Sequence, residues 1–185
     1  MKLFTHTLFF FLLVTQICFA QWFQQTSGTN ANLYSAYFID SNTGWVVGFW
    51  DSLGNQYQTI LKTTDGGTNW TNQLNTATGW LHSVYFTDAN NGWVVGDGYI
   101  VGGDTAIIIH TTDGGQSWIS QSNPTPNFGL YDVYFIDVNN GWAVGDYGII
   151  LSTTDGGVTW VQQNNNTGQT LKGVCFVCLV LKKVD

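Results

Sequence analysis

The sequence predicts an all-β fold assembled from repeated four-stranded units. Three observations predict it: a composition poor in helix formers, short apolar runs cut by Gly- and Asn-rich turns, and self-similarity at a period in the forties. Only 9% of the 185 residues are charged, while 16% are aromatic and 22 are glycine. The five basic residues are all lysine and the twelve acidic residues all aspartate. Without Arg and Glu the chain lacks two of the best charged helix formers, and the Asp, Asn, Gly and Thr that remain favour turns and strands. The aromatic content excludes a disordered chain. A net charge of −7 with no basic stripe excludes nucleic acid as a partner and disfavours anionic membrane surfaces.

The first twenty residues stand apart from the repeats. Lys2 precedes an apolar run from Leu8 to Val14, and the stretch ends Cys18-Phe19-Ala20. Small residues at −3 and −1 from a cut after Ala20 fit a secretory signal peptide over 1–20. The run is too short for a spanning helix, so no membrane span is expected after cleavage. The mature chain, 21–185, is then secreted: extracellular, at the cell surface or periplasmic.

The units follow in order. Trp22-Phe23-Gln24-Gln25 matches Trp118-Ile119-Ser120-Gln121 and Trp160-Val161-Gln162-Gln163, and so reads as a lone fourth strand. Three full units occupy approximately 33–70, 81–118 and 130–160. Each opens with an apolar strand, a polar turn, then Gly-Trp and a second strand, with Trp45, Trp93 and Trp142 spaced 48 and 49 residues apart. Each closes with Thr-x-Asp-x-Gly-x-x-Trp: Thr63, Asp65, Gly67 and Trp70; Thr111, Asp113, Gly115 and Trp118; Thr153, Asp155, Gly157 and Trp160. In the middle unit the strands are expected at Leu81–Phe86, Gly92–Gly96, Ala106–Thr111 and Trp118–Gln121. A fixed period of this length marks β-propeller blades. A fourth unit begins at Leu171, aligned with Leu130–Phe135. Past Phe176 its turn is replaced by Cys178-Leu-Val-Leu-Lys-Lys-Val-Asp185, the mark of a truncation or a change of reading frame. The expectation is an open arc of about three and a half blades, since closure takes about four to eight.

The Thr-x-Asp-x-Gly-x-x-Trp segment resembles the Asp-box of bacterial sialidase-like and related propellers, with Asn69 in place of the usual Ser or Thr before Trp70. Its Asp and Thr oxygens are suited to bind backbone N–H groups within the turn, a structural role. Gly44-Trp45, Gly92-Trp93 and Gly141-Trp142 with the following Val-Gly, together with Gly145-Asp-Tyr-Gly-Ile-Ile-Leu151, resemble the photosystem II stability and assembly factor-like propellers, close to the sortilin-type repeats. That resemblance covers Trp22 to about Phe176. It implies a non-catalytic binding or scaffolding module with a protein or glycan partner. It also implies an arginine patch in the photosynthetic members, which this chain does not carry. Similar secreted bacterial proteins serve as adhesion modules, so further blades or a C-terminal sorting domain are expected past this segment.

The enzymatic alternative is a fragment of an Asp-box glycoside hydrolase. Sialidase activity needs an arginine triad and is excluded here. A xyloglucanase-like pair of aspartates is the remaining form of that alternative, and no acid/base pair stands out among the twelve. His82 and His110 are isolated on strands. Cys175 and Cys178 spell C-x-x-C but fall on positions held by Tyr and Asp in the other units, so no metal, cofactor or catalytic residue is expected. One asymmetry points to function. The connection between strands two and three is short in the third unit, Asp146-Tyr147-Gly148, and long in the others, Phe49–Tyr57 and Asp97–Thr105. Those loops share a face with the links between units. Trp50, Tyr57, Trp80, Tyr99 and Phe128 are aromatics outside the repeat frame on that face, a candidate surface for sugars or peptides.

Overall fold

A computed structural model describes residues 23–52, 55–74, 79–100 and 103–176. The expected signal peptide, Trp22 and Cys178 lie outside them. Twelve strands form three antiparallel four-stranded sheets, each with its strands in chain order. The first sheet holds β1 (Asn32–Phe38), β2 (Gly44–Ser52), β3 (Asn55–Thr63) and β4 (Thr71–Leu74). The second holds β5 (Trp80–Phe86), β6 (Gly92–Ile100), β7 (Gly103–Thr111) and β8 (Ile119–Ser120). The third holds β9 (Leu130–Phe135), β10 (Gly141–Gly145), β11 (Ile150–Thr153) and β12 (Val161–Gln162). The described residues contain no α-helix, only a helical turn at Asp146–Gly148. The sheets are propeller blades in an open arc, with β1, β5 and β9 side by side along the inner wall.

Two rims result. One carries the β1–β2 and β3–β4 types of turn and is called here the turn rim. The other carries the β2–β3 type of connection and the links between sheets, and is called the hairpin rim. Two sequence expectations change at the hairpin rim. In the stretches Phe49–Tyr57 and Asp97–Thr105 the described residues continue the ladders, pairing Trp50 with Tyr57, Ser52 with Asn55, Tyr99 with Asp104 and Ile100 with Gly103. The backbone N–H and C=O groups of a long two-stranded connection are satisfied more completely by zipping than by solvation of an open loop. In the third unit Tyr147 takes a left-handed φ of 52° and Gly148 a φ of 77°, which reverses the chain within three residues.

The flanking segments also differ from expectation. Residues 23–25 and 171–176 are not strands, although they hold the positions the repeat assigns them. The Gln25 side-chain amide donates to the Gly66 carbonyl at 3.0 Å, as Gln121 donates to Gly156 at 3.0 Å. Phe176 packs on Trp142 with centroids 4.3 Å apart.

Burial of the joint between blades explains the Gly-Trp and Tyr-Phe pairs. Trp45 stacks on Phe86 at 3.6 Å and Trp93 on Phe135 at 3.7 Å, each reaching from one sheet to the next. Each indole N–H donates to a glycine carbonyl in the next unit's turn, Trp45 to Gly114 and Trp93 to Gly156. Trp118 and Trp160 stand edge-on to the same phenylalanines. His110 stacks on Trp93 at 4.5 Å, and burial pushes its pKa down. It is a packing group, as its isolation in the sequence indicated.

Candidate functional site

At the turn rim the same hydrogen bonds form three times. Thr63, Thr111 and Thr153 donate to Asp65, Asp113 and Asp155 and accept the N–H of Gly67, Gly115 and Gly157. Each Asp accepts the N–H four residues on, from Asn69, Ser117 and Thr159. The Asn69 amide reaches the free carboxylate oxygen of Asp65 at 2.8 Å, replacing the hydroxyl that Ser117 offers Asp113 at 2.5 Å. Bonds from Ser117, first its side chain and then its backbone, hold the Asp113 pKa at about 2. The pKa values of Asp65 and Asp155 are lowered in the same way, chiefly by the backbone N–H groups of Asn69 and Thr159. Each of these carboxylates thus closes its own turn.

The described side chains among the aromatics predicted at the hairpin rim make three separate ring contacts. Trp50 faces Tyr57 across the β2–β3 ladder at 5.6 Å and, with Thr59, Leu61 and Trp70, lines a groove of about 340 Å³ whose other side is Ser27, Gly28, Thr29 and Asn30 of the leading segment. Trp80 is half-buried against Phe49 at 5.7 Å, and Phe128 meets Tyr147 edge-on at 5.3 Å. Tyr99 has its backbone in β6; its side chain lies outside the described residues. Period-2 alternation sends neighbours along a zipped ladder to opposite faces, which separates residues that a shared loop would have gathered.

The inner wall shows a different set. Each inner strand carries a β-bulge just after its first leucine. Leu33 pairs with Gly48 and Ser35 with Val47, so Tyr34 is left over. The second sheet leaves over His82, between Leu81–Gly96 and Ser83–Val95. The third leaves over Tyr131, between Leu130–Gly145 and Asp132–Val144. A bulge re-aims the extra side chain and bends the strand. The three meet: Tyr34 and His82 have ring centroids 5.5 Å apart, His82 and Tyr131 4.9 Å. In the trailing segment the equivalent residue is Lys172, whose ammonium lies 2.9 Å from the Tyr131 ring centroid. His82 is fixed from behind by its Nε2 contact with the carboxylate of Asp97, which is itself buried.

A second tier lies one turn of the pleat nearer the turn rim. Tyr37, Tyr85 and Tyr134 follow one another at 4.7 and 4.9 Å, and burial, then Tyr37, pushes the Tyr85 hydroxyl well above its usual pKa. Between the tiers, Asp132 accepts the Ser83 hydroxyl at 2.7 Å and the Val174 N–H at 2.8 Å. The wall is thus aromatic and hydroxyl-rich. Tyr34, His82 and Tyr131 were missed in the sequence because no periodicity marks a bulge. Their signal was the glycine four residues past the Gly that opens each second strand. A Cβ on Gly48, Gly96 or Gly145 would collide with the carbonyl oxygen of Asn32, Trp80 or Gly129 across the bulge. Among the described residues no three His, Cys, Asp or Glu side chains come close enough to hold a metal ion.

A family model described as photosynthesis system II assembly factor YCF48 matches residues 14–126. Among solved structures the fold is similar to one described as YCF48 bound to D1 peptide, with a TM-score of 0.61 and 27% identity over 77% of this chain and 42% of that one. It is also similar to YCF48 from Cyanidioschyzon merolae, with a TM-score of 0.55, 22% identity and coverage of 75% and 42%, a likeness of fold alone. The chain therefore spans 42% of the length of either structure. No curated protein matches it.

Proposed function

The chain belongs to the photosynthesis system II assembly factor YCF48 family, and from that premise we propose that it is an exported, non-catalytic propeller segment that holds a polypeptide stretch of a partner protein on its inner wall. The observation that carries this reading is the bulge repeated in β1, β5 and β9. It sets Tyr34, His82 and Tyr131 in a row on the concave side, where packing alone requires no aromatic. Tyrosine anchors supply contact area and a hydrogen-bonding end at low entropy cost, which suits a peptide better than a small substrate. A relative described as bound to a D1 peptide supports the same class of partner. Trp80 borders this wall at the hairpin rim through Phe49, which stacks on Tyr34.

The test is a display of random peptides against the full chain, with the selected peptides titrated calorimetrically. Tyr131→Ala is expected to weaken binding by about tenfold or more while circular dichroism stays unchanged. Selected peptides that bind the Tyr131→Ala variant as well as the parent would remove the wall from consideration.

A further inference from the structure

We infer that the polypeptide taken by the wall is cationic, with a Lys or Arg side chain lying on the ring of Tyr34. This rests on the function proposed above and adds the sign of the partner. The structure contains its own example of the contact. Lys172 already occupies the face of Tyr131, the bulge residue of the third sheet, 2.9 Å from the centroid. Tyr34 is the same residue type at the same bulge position; Phe49 stacks beside it at 5.7 Å and His82 stands at 5.5 Å, and the ring is still 55% exposed, with no described lysine on it. An ammonium or guanidinium over a tyrosine ring is attracted by the negative face of the π system.

The surrounding charge favours the same partner. Asp97 lies behind His82, Asp132 lies within the wall, and Asp146 accepts the Gly129 N–H at 3.1 Å just before β9 begins. Against these stands Lys172. The other lysine among the described residues, Lys62, is bound at the turn rim to the Gly114 carbonyl at 2.9 Å and lies over Trp45. The chain as a whole carries −7. An acidic segment would meet like charge along the wall, whereas a basic one is steered in and finds ring faces once there. Lys172 is then an internal occupant of one such seat, and its removal opens a second.

The experiment titrates the full chain with three labelled twelve-residue peptides: one rich in Lys and Arg, one with those residues replaced by Glu, and one with Gln instead. The basic peptide is expected to bind, with Tyr34→Ala weaker by about tenfold, Tyr34→Phe unchanged because the ring face remains, and Lys172→Ala tighter. Circular dichroism of each variant confirms its fold. Binding of the Gln or Glu peptide as tightly as the basic one, with the same loss in Tyr34→Ala, would overturn the cationic preference and leave polypeptide binding standing. Basic binding indifferent to Tyr34→Ala would overturn the ring seat, leaving only diffuse attraction. Failure of every peptide, random library included, would remove both readings.

Discussion

The turn rim and the hairpin rim are built by the same three units and treat their residues in opposite ways. At the turn rim Thr, Asp and Gly recur with the same bonds, and even the exception, Asn69, restores the missing hydrogen bond. At the hairpin rim the glycines Gly48, Gly96 and Gly145 recur, but the residue they make room for is Tyr, then His, then Tyr. The connections there are two long zipped ladders and one tight reversal. Groups that close turns and joints are constrained by the blade next door, so they repeat. On the concave side the second tier, Tyr37, Tyr85 and Tyr134, also repeats, and the variation is confined to the bulge residues nearest the hairpin rim.

Three perturbations sharpen this contrast. The largest effect belongs to the joint. Trp93→Ala removes a fully buried ring stacked on Phe135 and should cost about 3–5 kcal/mol, read as a lower urea midpoint. A loss below about 1 kcal/mol would mean that the joints do not hold the arc. Next comes the glycine behind the bulge. Gly96→Ala presses a methyl group into the Trp80 carbonyl and should cost about 1–3 kcal/mol. It should also move His82 away from Tyr34 and Tyr131, so peptide binding falls with stability; binding that survives intact would separate the bulge from the site. The smallest effect is electrostatic and confined to the turn rim. The Asp113 pKa is held at about 2 in the folded chain, below the ordinary value of 3.8. Its contribution is therefore complete above pH 4 and lost as the pH falls toward 2. Asp113→Asn should flatten that part of the acid denaturation curve; an unchanged curve would show that Asp65 and Asp155 or other groups dominate it.

The fold was legible because the features that define it recur. Trp45, Trp93 and the three threonine–aspartate turns each signalled their place by spacing, and the blade order followed. The site was less legible. Trp50, Tyr57 and Trp80 were recognised as outside the repeat, yet the ladder that zips Phe49 to Gln58 and Trp50 to Tyr57 could not be read, because a strand extension and an ordered loop have the same composition. Tyr34, His82 and Tyr131 sat inside the repeat frame, where alternation assigns each residue to one face or the other and has no category for a residue left over. Only the pairing register shows that they share one position, and only the structure joins His82 to Asp97, fifteen residues away in sequence.

The stacked joint also has a consequence for cooperativity. Phe86 and Phe135 are each 1% exposed beneath the tryptophan of the preceding sheet, whereas Phe38 on the first sheet is 43% exposed. Each sheet therefore draws its stability from its nearest neighbours, as spins do in a one-dimensional lattice. The middle sheet has two such neighbours and each outer sheet one. Opening fluctuations should enter from the flanks, with β5–β7 the last to release their amides. The wall residue contributed by that middle sheet, His82, is then the most firmly held of the three, with a ring on either side and Asp97 behind it.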